Sequence, residues 1–373
     1  MMMMMMMKSD LSGPFLLLLL CTPAVSGFGS VLRKQYEYYR HPHSSWGDAQ
    51  SFCRGGYNRD LAVIYSPTDS DDLDIKNYHA WIGLFRERNN YSTWGNWIWS
   101  NRAGTNFNAW AHWEPSWTDG CVHVDSHLIS RVYGSDCGYY FFFICHKRYH
   151  GHYHYTFIPQ SKTWSEAQTY CRDVFDDLST FKKGSDLKKA VLPQDFPVWT
   201  GLHRDGGAWV WSRGLSEYRN WSEAEPSDDN GDCVSISSLG KQMSARNCST
   251  RFPFLCYWDN LVLVKENKTW EEALEHCRAL RGGNQNHELL SVQPGEEHSY
   301  VMRRVMEANS DEVWTGLRFL AGDWLWVNGA ELLYSGLPVC PLEQQHCGTL
   351  SKNDTGNVRI RDCSETRNFL CYF

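Results

Sequence analysis

The chain has 373 residues, 42% of them hydrophobic and 21% charged, which supplies buried cores for two or three domains and excludes a disordered polypeptide. The net charge is −7 with no basic block, which excludes nucleic acid as a partner, because phosphate backbones require clustered Lys and Arg. Aromatic residues are abundant, with 18 Trp, 19 Tyr and 17 Phe, and such side chains stabilise small β-rich units through the large areas they bury.

At the N-terminus Lys8 lies upstream of the apolar run Phe15 to Leu20, and Ala24-Val25-Ser26 places small residues at a spacing a signal peptidase accepts. Residues 1–26 therefore read as a signal peptide, whose removal takes Cys21 with it. A signal anchor is the alternative, but the run is short for a bilayer and no later stretch reaches ~18 apolar residues. The expectation is a secreted, extracellular protein with no membrane span. In that oxidising setting an even set of cysteines at repeating spacings implies disulfides rather than zinc, and the Cys-x₂₋₄-Cys pairs of zinc sites are missing.

Next along the chain comes Trp46-Gly-Asp-Ala-Gln-Ser-Phe-Cys53, a phrase that returns as Trp164-Ser-Glu-Ala-Gln-Thr-Tyr-Cys171 and Trp270-Glu-Glu-Ala-Leu-Glu-His-Cys277. Each follows a Ser or Thr, and Thr163 with Glu166 and Thr269 with Glu272 fit a capping box. The spacing predicts three helices whose Trp and Cys face a core. Each phrase is followed by a W-x-G-L element at Trp81, Trp199 and Trp314, then by Trp97-Ile-Trp99, Trp209-Val-Trp211 and Trp324-Leu-Trp326. Alternating Trp residues predict strands with one aromatic face.

The cysteines fall in phase with these copies: Cys53, Cys121, Cys137, Cys145; Cys171, Cys233, Cys248, Cys256; Cys277, Cys347, Cys363, Cys371, with Cys340 left over. Four cysteines allow three pairings, and spacing alone does not choose among them. The helix Cys, W-x-G-L, W-x-W, an E-P-S element, the inner Cys pair and a closing F-x-x-C together resemble the C-type lectin-like domain, three times over. The tandem W-x-E-A phrases are most similar to the mannose-receptor-like group, without its other modules or membrane segment. The resemblance implies an α+β fold of three tandem disulfide-stapled domains, each with two helices, antiparallel strands and a long loop region, over residues 28–148, 149–258 and 259–373. It also implies the pairs Cys53–Cys145 and Cys121–Cys137, Cys171–Cys256 and Cys233–Cys248, Cys277–Cys371 and Cys347–Cys363. Outer loops of ~90 residues and inner loops of ~15 would contribute roughly 4 to 5 and 3 kcal/mol each in the chain-entropy account.

In that family the sugar site, as the resemblance implies it, takes Ca²⁺ oxygens from an E-P-N or Q-P-D loop, an acidic residue before the first inner Cys, and W-N-D before the second. The first domain offers Glu114, Pro115, Ser116 and Asp119. The second offers Glu225, Pro226, Ser227, Asp228, Asp229, Asn230 and Asp232. In both, Ser stands where the family has Asn. At the W-N-D position stand Val132-Tyr133-Gly134, Met243-Ser244-Ala245 and Val358-Arg359-Ile360, none of which supplies the Asn and Asp oxygens. The third loop is Leu337-Pro338-Val339, with Arg359 and Arg361 nearby. No cofactor is required by this reading. A Ca²⁺ ion in domain 2 would use Glu225, Asp228, Asp229 and Asn230, but the favoured reading keeps Glu-Pro-Ser as a loop-shaping element with its Glu bonded to backbone.

Of the remaining features, His150-Gly-His-Tyr-His154 reads as a strand with outward histidines, and Glu296-Glu-His298 as the solvated face of the third domain's second helix. Asn90, Asn220, Asn267 and Asn353 lie in N-glycosylation sequons. Cys340 has no partner within its domain and, if exposed, would make a covalent dimer. No G-x-S-x-G, H-E-x-x-H or P-loop occurs, so an enzyme is the least favoured class. The expected function is recognition of extracellular glycans or glycoproteins through the loops of domains 1 and 2, with Trp110, Trp113, Trp117 and Trp221 exposed to stack on sugar rings; a Ca²⁺-independent protein-binding array is the alternative.

Overall fold

The computed structural model describes residues 32–373 apart from 57, 90–91, 104–106, 108, 130, 281–286, 343 and 354–355. The expected signal peptide and the sequon at Asn90 lie outside the described residues.

Each repeated phrase forms the expected helix: Trp46–Arg54, Trp164–Val174 and Trp270–Ala279. Ser45, Thr163 and Thr269 cap them by accepting from the backbone N–H three residues on, and Glu166 and Glu272 complete capping boxes. In each helix the Trp, Ala and Cys of the phrase are buried, at the i, i+3, i+7 spacing of one helical face. A second helix is only a turn or so in the first two repeats, at Pro67–Asp71 and Leu187–Ala190, and runs over Glu296–Val305 in the third.

Three seven-stranded sheets receive these helices. Sheet C is made entirely from the third repeat: Leu261–Lys268, Arg367–Tyr372, Glu312–Leu320, Cys347–Ser351 and Arg359–Arg361 in order, with Glu288–Leu289 and Asp323–Trp326 at its margins. The other two sheets each draw on both remaining repeats. Sheet A holds Val132–Ser135, Cys121–Asp125, His79–Asn89, Ser92–Trp99 and Phe141–Tyr149 of the first repeat, completed by His152–Lys162 and Asp177–Leu178 of the second. Sheet B holds Pro197–Asp205, Ala208–Trp211, Cys233–Ser237, Met243–Arg246 and Phe252–Asp259 of the second repeat, completed by Lys34–Ser44 and Arg59–Leu61 of the first. The first two repeats have exchanged their N-terminal strand and helix.

The cause lies in the link between them. Phe141–Tyr149 pairs antiparallel with His152–Lys162 up to Tyr149 opposite His152, leaving only His150 and Gly151 as a loop. Both have positive φ, 47° and 83°, the conformation of the two-residue hairpin turn whose twist matches the strands it joins. A turn this tight places the second repeat's opening strand on the first repeat's closing strand, and so fills the position that Lys34–Ser44 would otherwise take. Lys34–Ser44 pairs instead with Phe252–Asp259. The second link is the single residue Asn260, whose Oδ1 accepts from Arg33 N–H at 2.7 Å and whose Nδ2 donates to the Phe373 carbonyl at 2.9 Å. Leu261–Lys268 then pairs with its own repeat's last strand.

The exchange corrects the expected outer disulfides of the first two repeats. The bridges are Cys53–Cys256 and Cys145–Cys171, not Cys53–Cys145 and Cys171–Cys256, because each helix cysteine meets the closing strand on which its helix docks. The inner bridges are Cys121–Cys137 and Cys233–Cys248, and the third repeat carries Cys277–Cys371 and Cys347–Cys363. The repeat boundary near 148 is therefore not a boundary between sheets. A further correction concerns His298, which is buried against the Tyr334 hydroxyl at 2.6 Å rather than on a solvated face. Asp259, fully buried, joins sheet B to the third repeat through Tyr300 Oη at 2.7 Å and Arg304 at 3.4 Å. Among the described residues no helix is long and apolar enough to cross a membrane.

Candidate functional site

The two Glu-Pro-Ser loops lie at corresponding places on sheets A and B. Each begins where a tryptophan forms a parallel bridge to the strand that carries the missing W-N-D position, Trp110 to Val132 and Trp221 to Met243. Each proceeds through a residue of positive φ, Trp113 at 67° and Ala224 at 62°, into a cis Glu-Pro bond. Trp110 lies against Trp97 at 4.9 Å between ring centroids and Trp221 against Trp209 at 5.3 Å. Both are half-buried, so the expectation that they are exposed is corrected: the alternating W-x-W strand covers them. Trp113 and Trp117 are 89% and 74% exposed.

The carboxylates are largely engaged. In the first loop Gly134 N–H donates to Glu114 Oε2 at 2.9 Å and Ser116 N–H donates to Asp119 Oδ2 at 2.6 Å. Burial, with the Asp119 charge adding to it, holds the Glu114 carboxyl above its ordinary value, while the Gly134 N–H pulls the other way. In the second loop Glu225 Oε2 accepts from Ser227 N–H at 3.0 Å and from Ala245 N–H at 3.1 Å, and Oε1 accepts from Asn230 Nδ2 at 2.8 Å. Gly134 and Ala245 are the last residues of the triplets at the W-N-D position. Their N–H groups are directed at the glutamates, so donors stand where a metal would need acceptors.

Sequence reasoning missed the residue that organises both loops. Arg86 donates to the carbonyls of Trp117 at 2.6 Å and Ser116 at 2.8 Å, with its guanidinium 4.7 Å from the centre of Trp97. Arg204 pairs with Asp228 at 2.6 Å and lies 3.3 Å from Asp232, again 4.7 Å from a tryptophan ring, Trp209. Both are directly cross-strand from those tryptophans, and both stand five residues after the Trp of W-x-G-L. That shared offset was the available signal. In the third repeat the position is Phe319, opposite and against Trp324. Its arginine, Arg318, is one residue earlier, which in a strand means the other face, and it pairs with Glu271 at 2.9 Å. The loop Leu337-Pro338-Val339 gives its Pro338 carbonyl to Trp324 Nε1 at 2.9 Å, and Arg359 and Arg361 turn to Glu312.

These donor sets do not fit a calcium ion, which takes six to eight oxygens. A fixed guanidinium already neutralises Asp228 and Asp232, Asp229 is exposed on the short turn Asp228–Asn230, and Glu225 is bonded at both oxygens. Among the described residues no group of three or more His, Cys, Asp or Glu could hold a metal ion. Of the sequon residues, Asn267 and Asn353 are exposed, and Asn220 is half-buried with its Nδ2 donating to the Lys241 carbonyl at 2.9 Å. Cys340 is free and exposed, beside the exposed Val339 and Leu342.

The family model described as Lectin C-type domain matches residues 43–147, 160–258 and 266–373. The secretory phospholipase A2 receptor of Oryctolagus cuniculus is 24% identical over 261 residues, 57% of this chain and 18% of the receptor. The C-type mannose receptor 2 of Mus musculus is 21% identical over 272 residues, 58% of this chain and 18% of that protein. Lithostathine-1-beta of Homo sapiens is 31% identical over 121 residues, 29% of this chain and 73% of lithostathine. The chain thus spans less than a fifth of the length of the receptors it matches. Among solved structures, human lithostathine covers 30% of this chain and 81% of its own at 22% identity and a TM-score of 0.26, and the lectin CEL-I from Cucumaria echinata covers 30% and 86% at 19% identity and 0.26.

Proposed function

The chain belongs to the C-type lectin domain family, and on that premise we propose that it is a secreted glycan-recognition protein that works without calcium. Recognition is centred on the first Glu-Pro-Ser loop. The observation that carries this reading is the pair Trp113 and Trp117, two indoles exposed to solvent on a loop whose backbone is clamped by Arg86. A rigid aromatic platform stacks on the apolar face of a sugar ring at little entropic cost. The second loop has only the half-buried Trp221 in place of two exposed indoles, and it presents an acidic surface of Asp228, Asp229 and Asp232, which favours a basic protein surface as its ligand. An extracellular setting is supported by six disulfides, and glycans on Asn267 and Asn353 are compatible with their exposure. Exposed Cys340 would link two copies through a disulfide, giving doubled mass on a non-reducing gel that reduction or C340S removes.

The test is a glycan array probed with the full chain, with and without chelator. Binding that survives chelator and falls at least tenfold in W113A and W117A is expected, in line with the ~2 kcal/mol of a buried aromatic anchor. Binding abolished by chelator would refute calcium independence. No glycan binding beside capture of a basic protein would move the function to the second loop.

A further inference from the structure

The exchanged strand Lys34–Ser44 does more than complete sheet B. Its pairing with Phe252–Asp259 breaks register between Tyr39 and Ser44, and the intervening residues Arg40 to His43 bulge out of sheet B. That bulge lands on sheet A. Arg40 pairs with Asp125 at 3.1 Å. The His41 ring lies 4.9 Å from both Tyr139 and Phe141 and 5.9 Å from His79. His43 is 2% exposed, 4.5 Å from Phe142, with Nδ1 2.6 Å from Ser161 Oγ. Behind them His79 lies 4.8 Å from His123, which is 6% exposed and also faces Tyr133 and Phe141, with Nδ1 3.1 Å from Ser135 Oγ.

Four imidazoles from both exchanged parts thus meet in an aromatic setting beside the Asp125 carboxylate, which also lies 3.7 Å from His79 Nε2. Titratable and charged neighbours are Arg40 on the bulge, His79, His123 and Asp125 on sheet A, and the phenols of Tyr133 and Tyr139. His41 Nδ1 and His43 Nε2 are buried without a hydrogen-bond partner, so neither has an acceptor ready for an added proton.

We propose that this histidine bulge is an acid-released latch: neutral, it holds sheets A and B together, and on mild acidification it detaches from sheet A while Cys53–Cys256 and Cys145–Cys171 keep each sheet closed. Burial, with the neighbouring His79 adding to it, lowers His41 to about 4, and it lowers His43 and His123 well below the ordinary value. A group whose closed-state pKa is depressed favours closure fully above its open-state value near 6.5, and that preference is lost as pH falls below it. For His41 alone, the open state gains about tenfold in population between pH 7.4 and 5.5.

Hydrogen exchange of the intact, oxidised full chain, corrected for intrinsic rates, tests this. Protection over Tyr39–Ser44 and Phe141–Phe143 is expected to fall at least tenfold at pH 5.5, with Glu312–Leu320 of sheet C unchanged. The H41Q/H43Q variant replaces both bulge imidazoles with polar side chains that do not titrate and should lose at least threefold less protection than the natural chain. Unchanged protection in the natural chain, or an equal loss in the variant, overturns the latch. Ring-proton titration of the natural chain by NMR gives a readout independent of the variant: His43 staying neutral to pH 5.5 in the closed state supports the latch, and His43 titrating near 6.5 without opening overturns it.

Discussion

In the third repeat the helix Trp270–Ala279 docks on a strand of its own repeat, with Trp270 Nε1 donating to the Thr315 carbonyl at 2.8 Å. In the first two repeats the same bond crosses over: Trp46 Nε1 reaches the Thr200 carbonyl and Trp164 Nε1 the Ile82 carbonyl, both at 2.8 Å. The three helix phrases are nearly the same, and so are the strands that receive them. The helix phrase therefore carries no address of its own, and the two links differ in the strand they lead into. A two-residue hairpin at His150-Gly151 sends the second helix back to sheet A, whereas Asn260, bonded to Arg33 and Phe373, lets the third repeat close on itself. Short hinges exchange like elements because either arrangement buries the same kind of interface at almost equal free energy.

The comparison can be broken most strongly at the hinge. Inserting about twelve Gly and Ser residues between His150 and Gly151 removes the turn that ties Tyr149 to His152, and an insertion of that length adds little closure cost. The first two repeats should then close as the third does, with Cys53 bridged to Cys145 and Cys171 to Cys256. Retention of the exchanged bridges would show that the sheets, not the hinge, choose the helix.

Paired cysteine removal has the next largest effect. C145S/C171S deletes one bridge with a sequence separation of 26, should lower stability by about 3 kcal/mol, and leaves no new free thiol. C53S/C145S strands Cys256 and Cys171 on different sheets, and thiol titration of the denatured protein should find two more thiols than in the natural chain. If C53S/C145S shows no increase, the exchange is wrong.

A smaller effect sharpens the assignment of helix to sheet. W164F removes the buried bond to the Ile82 carbonyl, a loss of about 1 to 3 kcal/mol once the carbonyl is left unpaired. Hydrogen exchange should rise in His79–Asn89 of the first repeat and not in Pro197–Asp205 of the second, although Trp164 belongs to the second repeat by sequence.

Much of this fold was legible from the residues. Phrase spacing gave three helices, capping boxes marked their starts, and alternating tryptophans marked the strands, because these patterns follow from local geometry. The exchange was not legible by the same means: pairing of similar phrases is a choice between nearly equal long-range interfaces, and resemblance to a single-domain family assumes closure within each repeat. The signal that was present, His150-Gly151 between two strand patterns, is a turn motif rather than a family motif. At the loops, the sequence showed that the W-N-D oxygens are missing, and the third loop was set apart by Arg359 and Arg361. What fills the void, Arg86 and Arg204 stacked on Trp97 and Trp209, needed the strand register to become visible. The burial of Trp110 and Trp221 needed it as well.

Peptide mapping of the non-reduced full chain by mass spectrometry tests the exchange most directly. Digestion between the cysteines should yield disulfide-linked peptides joining Cys53 to Cys256 and Cys145 to Cys171, together with Cys277 joined to Cys371. Peptides joining Cys53 to Cys145 and Cys171 to Cys256 would contradict it, and would place all three repeats in the self-closed form.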